Sequence, residues 1–298
     1  MHRLLMIGLG DIAQKAWLPV VANHPQVELY LWARDAAKTA ALATQYRLTS
    51  LSSWQQAKDL GIQAVLIHAA TEAHFDLAYA ALSQGYSVLI DKPIAYHQHQ
   101  VQQLADLAAA QQQLLMPAFN RRYSPLVLKA QQQGSATSII LQKYRQLLPG
   151  PVRQFVFDDF IHLLDTANFL ADGELAKPKA PLARWQQDRL IGLSLDLSSQ
   201  QRILLSMDRD HGCTGELYQL DYSGVSWQID QLMVAKCWSA GQLQIWQPDP
   251  WQSNLQLRGF TALFDDFLTA LGRKQFGLEP SYLLTHALAE LLVETLDA

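Results

Sequence analysis

The sequence predicts an α/β fold with two parts: an N-terminal Rossmann domain, which is a doubly wound parallel sheet, and a C-terminal α+β domain with a mostly antiparallel open sheet. The chain has 298 residues, enough for two domains of roughly 150 residues each. In the first part, apolar strands alternate with helical patterns of about 10–15 residues, which is typical of parallel sheets. In the second part, strand patterns of alternating polarity follow one another. We therefore expect domains at 1–118 and 119–298.

The first domain is predicted from five short apolar runs and the helical patterns between them. A glycine, Gly85, stands where a helix C-cap is expected. The predicted strands are Leu4–Ile7, Val27–Trp32, Ala64–Ile67, Ser87–Ile90 and Leu114–Ala118, and the predicted helices are Ile12–Asn23, Ala36–Tyr46, Ala73–Gln84 and His97–Gln112.

The second domain is predicted from strands that follow one another without helices between them. Several alternate in polarity, as strands with one wetter face do. The predicted strands are Thr137–Arg145, Leu190–Leu197, Arg202–Met207, Glu216–Tyr222 and Val225–Val234, and the predicted helices are Asp158–Leu170, Phe260–Leu271 and Ser281–Leu296.

Composition and charge exclude several classes of protein. The chain is 49% apolar and 17% charged, which excludes an intrinsically disordered protein. A net charge of −4 gives no indication of nucleic-acid binding. The two cysteines, Cys213 and Cys237, are too few for a disulfide framework or a zinc cluster, so we expect a reducing, cytoplasmic location. Gly8, Gly10 and Asp11 interrupt the opening apolar run, and we expect neither a signal peptide nor a membrane span.

The strongest local signal is a G-x-G-x-x-A pattern between the first predicted strand and helix. In such a pattern Gly8 permits the tight turn, Gly10 lets the backbone approach a pyrophosphate, and Ala13 allows close packing of the helix on the strand. The alternative is a structural turn that binds nothing. The predicted cofactor-binding residues of this turn are Gly8, Leu9, Gly10, Asp11, Ile12 and Ala13.

The end of the second predicted strand indicates which dinucleotide is preferred. An acidic residue there would bind the 2′-hydroxyl of NAD, whereas Ala33 and Arg34 provide space and positive charge for a 2′-phosphate. NADP(H) is therefore favoured over NAD(H), with both residues as cofactor contacts. Asp35 lies only one position further on, and Arg34 as an ordinary surface charge is the alternative.

Lys92 follows the fourth apolar strand, in the tripeptide Asp91-Lys92-Pro93. Ligands of parallel sheets bind at the carboxyl ends of strands, and partial burial there can lower the pKa of a lysine enough for proton transfer. By itself the tripeptide is weak, because most lysines are solvated surface charges.

A third group of candidate residues lies on a predicted helix. Asp158, His162 and Asp165 are spaced so that they share one helical face, where Asp158 could orient His162 as a general acid or base. The alternative is a helix-capping aspartate with a histidine buried at a domain interface. One histidine with carboxylates is a poor ligand set, so we predict no metal site.

Taken in order, these motifs resemble the Gfo/Idh/MocA oxidoreductase family, and within it the MviM-like branch. The resemblance runs the length of the chain and ends at the helical pair after Gly259-Phe260. The matching segments are Gly8–Pro19, Ala69–His74, Asp91–Ala95, Ala118–Pro125 and Asp158–Asp165.

The resemblance implies an activity and an assembly. Members of this family transfer a hydride between NAD(P) and a hydroxyl-bearing carbon of a sugar, cyclitol or related polyol. It also implies a homodimer or homotetramer formed through the sheet of the second domain.

The resemblance further implies roles for individual residues. Lys92, Asp158 and His162 match the catalytic set, and the segment of Asn120 and Arg122 matches the lining of the cleft between the domains. Further cofactor contacts are implied at Ala69, Thr71, His74, Asp91, Lys92, Pro93, Asn120 and Arg122, and substrate contacts at Lys92, Arg122, Asp158, His162 and Asp165.

Two positions depart from the pattern of the family. Asp91 replaces the usual glutamate, and Phe160 stands where glycine is common, so a large ring could narrow the substrate pocket or reshape the turn before the helix. A non-catalytic dinucleotide sensor on the same fold is the alternative function. The intact set of Lys92, Asp158 and His162 favours the enzyme, because a sensor has no chemical need for it.

Overall fold

A computed structural model describes residues 1–172 and 175–298, which form two compact units. The first unit contains Met1–Ala118 and Phe260–Leu283, and the second contains Phe119–Gly259 and Leu284–Ala298.

The first unit is built on a six-stranded parallel sheet with the order β3-β2-β1-β4-β5-β6. The strand order reverses between β1 and β4, so the chain leaves these neighbouring strands toward opposite sides, and ligands of such folds bind at this point. This sheet confirms the predicted Rossmann domain. The strands are β1 His2–Ile7, β2 Val27–Trp32, β3 Thr49–Ser50, β4 Ala64–Ile67, β5 Ser87–Ile90 and β6 Leu115–Pro117.

Helices alternate with these strands, and the central strands β4 and β5 are buried along their whole length. The first helical segment contains a π turn, Ala13–Trp17, before its last α-helical part. The helices are α1 Leu18–Val21, α2 Ala36–Tyr46, α3 His74–Ser83 and α4 Gln98–Ala110.

The helix Phe260–Gly272 belongs to the first unit, although the sequence placed it in the second domain. Phe260 packs edge-on against Trp17 at 5.3 Å between ring centroids, and Phe264 does the same against His24 at 5.4 Å. The apolar face of this helix therefore completes the core around the first helical segment. Sequence spacing could not reveal this, because the partners lie more than 200 residues apart.

The second unit contains an eight-stranded sheet with the order β14-β13-β12-β11-β7-β10-β9-β8. Among the described strands of this sheet, only β7 and β10 pair in parallel, which confirms the mostly antiparallel sheet. The strands are β7 Ser138–Gln146, β8 Leu182–Gln186, β9 Arg189–Asp196, β10 Arg202–His211, β11 Gly215–Tyr222, β12 Val225–Asp230, β13 Val234–Ser239 and β14 Gln242–Trp246.

One predicted strand, Val225–Val234, is in fact the start of a hairpin. The chain turns after β12 with positive φ at Gln231 and Leu232 and returns as β13. These residue types rarely adopt such a backbone conformation, so the sequence carries no turn signal there. The strands β8 and β14 were also not predicted, because they are largely exposed and lack a buried apolar face.

The helices of the second unit include one long interrupted segment. Helical structure begins at Val152, not at Asp158, and passes through a π turn at Val156–Phe160. Asp158 is therefore not a helix cap. The helices are α5 Pro125–Gln131, α6 Val152–Phe155, α7 Ile161–Leu170 and α8 Asn254–Leu257; α9 Phe260–Gly272 and α10 Pro280–Asp297 complete the chain, and α10 contributes residues to both units.

Asp159 gathers three cationic side chains in the interior of the second unit. Its carboxylate lies 2.8 Å from Nζ of Lys143, 2.6 Å from Nη2 of Arg145 and 3.0 Å from Nη2 of Arg209. Burial opposes ionisation of Asp159, but Lys143 and Arg145 hold the pKa of its carboxyl far below the usual range. Burial, together with the nearby guanidinium of Arg121, lowers the pKa of Lys143 to about 7.

This imbalance of charge predicts opposite outcomes for two substitutions. Asp159→Asn leaves three cations without their shared anion and should lower the free energy of unfolding by about 3–5 kcal/mol. Lys143→Met removes a buried ammonium while Asp159 keeps two arginines, so stability should be unchanged or raised, by up to about 4 kcal/mol. Urea denaturation followed by tryptophan fluorescence measures both. Equal destabilisation by the two changes would contradict this explanation.

Candidate active site

Two groups of candidate residues lie in separate units, and each is described by itself. In the first unit the glycine turn joins β1 to the helical segment 11–21. Gly8 has φ +87°, and a Cβ on it would lie 2.6 Å from the backbone nitrogen of Ala69. Glycine is therefore required at this position by the protein itself, because the loop after β4 passes directly against it.

Gly10 differs from Gly8, because nothing within the protein requires a glycine there. Its φ lies outside the left-handed region, and the nearest atom to an added Cβ is the carbonyl oxygen of His68 at 4.0 Å. Leu9 and Ala13 are buried, whereas Gly10, Asp11 and Ile12 are exposed. An open backbone at the start of a helical segment has the shape that a dinucleotide pyrophosphate needs.

The end of β2 presents a cation, and its neighbouring carboxylate is engaged. Asp35 caps α2, since its Oδ1 accepts a hydrogen bond of 2.9 Å from the backbone nitrogen of Lys38. Arg34 is exposed to solvent and Ala33 is half-buried. Lys15 mainly, and Lys38 to a smaller degree, hold the pKa of Asp11 below its usual value.

Asp91 is held in place by two residues that the sequence did not single out. Its carboxylate accepts a hydrogen bond of 2.8 Å from Nε1 of Trp17 and lies 3.0 Å from Nδ1 of His68. The Trp17 and His68 rings stack at 4.8 Å. Burial would raise the pKa of the Asp91 carboxyl, but His68 and Trp17 keep it below its usual value. Asp91 thus supports the half-buried Lys92 that follows it.

His74 contacts two segments that are predicted to bind the cofactor, one after β4 and one after β5. Its Nδ1 lies 2.8 Å from the carbonyl oxygen of Pro93, and its Nε2 lies 3.1 Å from that of Ala69. The ring is buried, which lowers its pKa. Both ring nitrogens therefore face carbonyl groups of the protein, and His74 positions the loops after β4 and β5. Thr71 is half-buried in the turn between them.

In the second unit, His162 contacts an arginine that the sequence analysis did not select. Nη1 of Arg121 lies 2.8 Å from Nδ1 of His162. The same guanidinium donates to both oxygens of Glu216, at 2.7 and 3.1 Å, and all three side chains are buried. Sequence reasoning chose the residues on either side of Arg121 and missed Arg121 and Glu216, although the double arginine of Ala118–Pro125 was a signal.

Arg122 and Asp165, both predicted to contact ligands, form a buried ion pair. Nε and Nη2 of Arg122 donate to the two carboxylate oxygens of Asp165 at 2.9 and 2.6 Å. The guanidinium also lies over the ring of Phe169 at 5.7 Å. Paired in this fork geometry, Asp165 fixes the orientation of Arg122.

Asn120 links two motifs that lie far apart in the sequence. Its Nδ2 donates to the carbonyl oxygen of Arg258 at 2.8 Å. The next residue, Gly259, has φ +84°, and a Cβ there would lie 2.6 Å from the carbonyl carbon of Tyr123. The turn Asn120–Tyr123 and the segment before α9 are therefore packed backbone to backbone, and the Asn120 amide nitrogen is engaged in this contact.

The remaining candidates lie in the π turn before α7. Asp158 is half-buried there, while Phe160 is fully buried and belongs to the core of the unit. Within residues 1–172 and 175–298, no group of three or more His, Cys, Asp or Glu side chains is arranged to hold a metal ion. No helix in that part of the chain is both long and apolar enough to cross a membrane.

Comparison with known proteins identifies the family. Residues 2–119 match the model of an oxidoreductase family with an NAD-binding Rossmann fold, GFO_IDH_MocA, and residues 125–239 match a YceM-like C-terminal domain. YceM from Salmonella typhimurium, which carries the name of an oxidoreductase, is 30% identical over 89% of this chain and 88% of its own length. The chain belongs to the Gfo/Idh/MocA oxidoreductase family.

Two solved structures are similar to this member of the Gfo/Idh/MocA family along nearly the whole chain. A Gfo/Idh/MocA oxidoreductase from Vibrio cholerae is 32% identical, with a TM-score of 0.93, and the match covers 100% of this chain and 98% of the other. The dehydrogenase MviM from Clostridium difficile is 26% identical, with a TM-score of 0.91 over 99% and 98%. The resemblance expected from the motifs is thus confirmed, and the protein is an NAD(P)-dependent dehydrogenase.

The crowding around Gly8 predicts a difference between two Gly→Ala substitutions. Gly134 also has a positive φ, of +99°, but an added Cβ would meet nothing within 4 Å. Gly134→Ala should cost only backbone strain, about 1–2 kcal/mol. Gly8→Ala adds a clash with backbone and should cost about 3 kcal/mol or more. Chemical denaturation of the two variants tests this, and equal losses would show that the contact with Ala69 yields easily.

Proposed function

We propose that this dehydrogenase transfers a hydride between NADP(H), in preference to NAD(H), and a hydroxyl or carbonyl carbon of a sugar, cyclitol or related polyol. The observation that carries the proposal is the uncrowded Gly10 at the carboxyl end of β1, where the strand order reverses. The resemblance to the Gfo/Idh/MocA family supports the substrate class.

The charges at the end of β2 support the preference for NADP(H). Asp35 is committed to capping α2, whereas Arg34 is exposed and able to pair with a 2′-phosphate. Lys38, in the first turn of α2, adds a second positive charge.

The residues proposed to act on the substrate are Lys92, Asp158 and His162. When bound, the nicotinamide accepts or supplies the hydride. Lys92 and His162 would bind the reacting oxygen, whose proton would pass to or from one of these two side chains, and Asp158 would support them electrostatically. Arg122, held by Asp165, would bind a further substrate oxygen or the cofactor.

We further propose that the sheet of the second unit forms a homodimer or homotetramer. Large apolar side chains are exposed on strands at both edges of this sheet, and exposed apolar surface can mark an interface. They are Leu182 and Trp185 of β8, Trp238 of β13, and Leu243 and Ile245 of β14.

The cofactor proposal predicts a selective gain in thermal stability. At about 100 times its Kd, a nucleotide should stabilise the protein by roughly 2.7 kcal/mol. NADP and NADPH should do so at lower concentration than NAD and NADH. Gly10→Ala should leave the melting temperature of the free protein unchanged, since its Cβ has space, but weaken binding of all four nucleotides. Arg34→Ala should weaken NADP(H) by about tenfold and leave NAD(H) unaffected.

A differential-scanning titration of the three proteins with the four nucleotides measures these effects. Stabilisation by none of them would contradict the proposed function. If NADP(H) and NAD(H) stabilise the protein equally, and Arg34→Ala changes neither effect, the proposed preference for NADP(H) is wrong. The proposal of a dehydrogenase would be unaffected.

The proposed role of Lys92 predicts a separation of binding from turnover. Lys92→Met should lower kcat at least about 10²-fold for the polyol or sugar that the wild type oxidises best, because the reacting oxygen loses the amine that binds it and exchanges its proton. Nucleotide affinity should change little. Lys58→Met, an exposed lysine of the same unit, is the control. A near-normal kcat for Lys92→Met would exclude Lys92 from the chemistry.

A further inference from the structure

The contact between Arg121 and His162 determines which nitrogen of the histidine carries the proton. A guanidinium has only N–H donors, so Nδ1 of His162, at 2.8 Å from Nη1, must be the acceptor. A neutral imidazole carries one proton, and with Nδ1 accepting, that proton is on Nε2.

The guanidinium is itself held in position by a buried carboxylate. Glu216 accepts from Nε and Nη2 of Arg121 and from the hydroxyl of Tyr218 at 2.7 Å. Burial opposes the charge, but Arg121 and Lys143 lower the pKa of Glu216 to about 2, so it remains an anion at neutral pH. All three nitrogens of the Arg121 guanidinium are thus engaged, and rotation away from His162 would break the pair with Glu216.

Other groups also surround the imidazole of His162, beside its contact with Arg121. The Phe119 ring packs edge-on against it at 6.3 Å between centroids, and the ring is buried. Arg121, from the turn Asn120–Tyr123, contacts the ring and pairs with Glu216 of β11. The helical segment that carries His162 also carries Asp158 and Asp165, and Asp165 pairs with Arg122.

We propose that Arg121 is a positioning residue that fixes His162 as the Nε2–H tautomer, so that His162 donates a hydrogen bond to the reacting oxygen and Lys92 alone exchanges the proton. This inference rests on the proposed function for its catalytic part. A second proton on His162 would have to enter at Nδ1, where it would face an N–H of Arg121. His162 is therefore not the proton acceptor, which differs from the role of general acid or base considered from the sequence.

The reaction balances with this division of roles. In the oxidative direction, the substrate carbon loses a hydride to the oxidised nicotinamide, and the hydroxyl proton passes to the neutral amine of Lys92. The products are a carbonyl group, a reduced cofactor and an ammonium on Lys92. His162 stabilises the developing negative charge on the oxygen and undergoes no change of protonation.

The tautomer can be measured on the free protein. Two-bond ¹H–¹⁵N correlation spectra of histidine-labelled protein distinguish the two neutral tautomers and the imidazolium, and the His162→Asn variant identifies the signals. At neutral pH we expect one species with the proton on Nε2. A proton on Nδ1, or an imidazolium, would overturn the proposal without any variant having to fold.

A paired substitution tests whether Arg121 is the cause. Arg121→Met with Glu216→Gln removes both charges together, so no buried ion is left without its partner, and His162 should then populate both tautomers. Arg145→Gln is the matched control, because it alters the neighbouring Asp159 cluster and leaves the Arg121–His162 contact in place. An unchanged tautomer in the double variant would overturn the role of Arg121.

The nucleotide titration separates this inference from the proposed function. If no nucleotide binds, the catalytic part is wrong, whatever the tautomer. If nucleotides bind and the Nε2–H tautomer is absent, the proposed dehydrogenase function is retained and the proposed role of Arg121 is wrong.

Discussion

A carboxylate buried away from water must be paired with a cation, and in the second unit the pairing of Glu216 with Arg121 meets this requirement. The pair orients a guanidinium that has donors to spare, and one of these donors reaches His162. Arg258, whose Nη1 lies 3.6 Å from Glu216, precedes the glycine that packs on the turn of Asn120. The position of His162, the conformation of the turn and the end of the strand-rich segment therefore all depend on one buried anion.

In the first unit, the carboxylate of Asp91 is held by ring nitrogens of two neighbouring side chains. Asp91 is stabilised by the indole N–H of Trp17 and by His68, which stacks on that indole. His68 belongs to the loop that also crowds Gly8. The glycine turn, the loop after β4 and the segment of Lys92 are thus connected through side chains. The candidate residues of the first unit are therefore brought together by the edge of the sheet and not by any one motif.

The sequence predicted the features that are encoded locally. Parallel strands buried on both faces read as unbroken apolar runs, which is why β4 and β5 were found with their observed bounds. The largely apolar β1 and β2 were found to within two residues. The glycine turn was found because its residue types and spacing are set by local backbone geometry. In contrast, β8 and β14 are exposed, and the turn after β12 uses Gln231 and Leu232 at positive φ.

The supporting residues of the site were missed for a different reason. Trp17 and Asp91 lie 74 positions apart, and Arg121 and Glu216 lie 95 apart, so no spacing rule could pair them. The spacing rule could propose Asp158, at i−4, as a partner of His162, but it could not reveal Arg121, which comes from another element. Motifs can predict the residues that act on a ligand. The residues that position those side chains are brought to them by tertiary packing, which motifs do not describe.

A strongly perturbed pKa does not by itself mark the reacting group here. The pKa of Lys143 is lowered to about 7, the range in which a lysine exchanges protons readily, yet it lies in the interior beside Asp159 and three arginines. Its shift follows from burial and from neighbouring positive charge, and a substrate would have to enter a compensated ionic cluster to reach it. Lys92 has the opposite setting, since it is half-buried at the carboxyl end of a parallel strand. Position relative to the sheet edge, and not the size of a pKa shift, is therefore the reason for proposing Lys92 as the proton carrier.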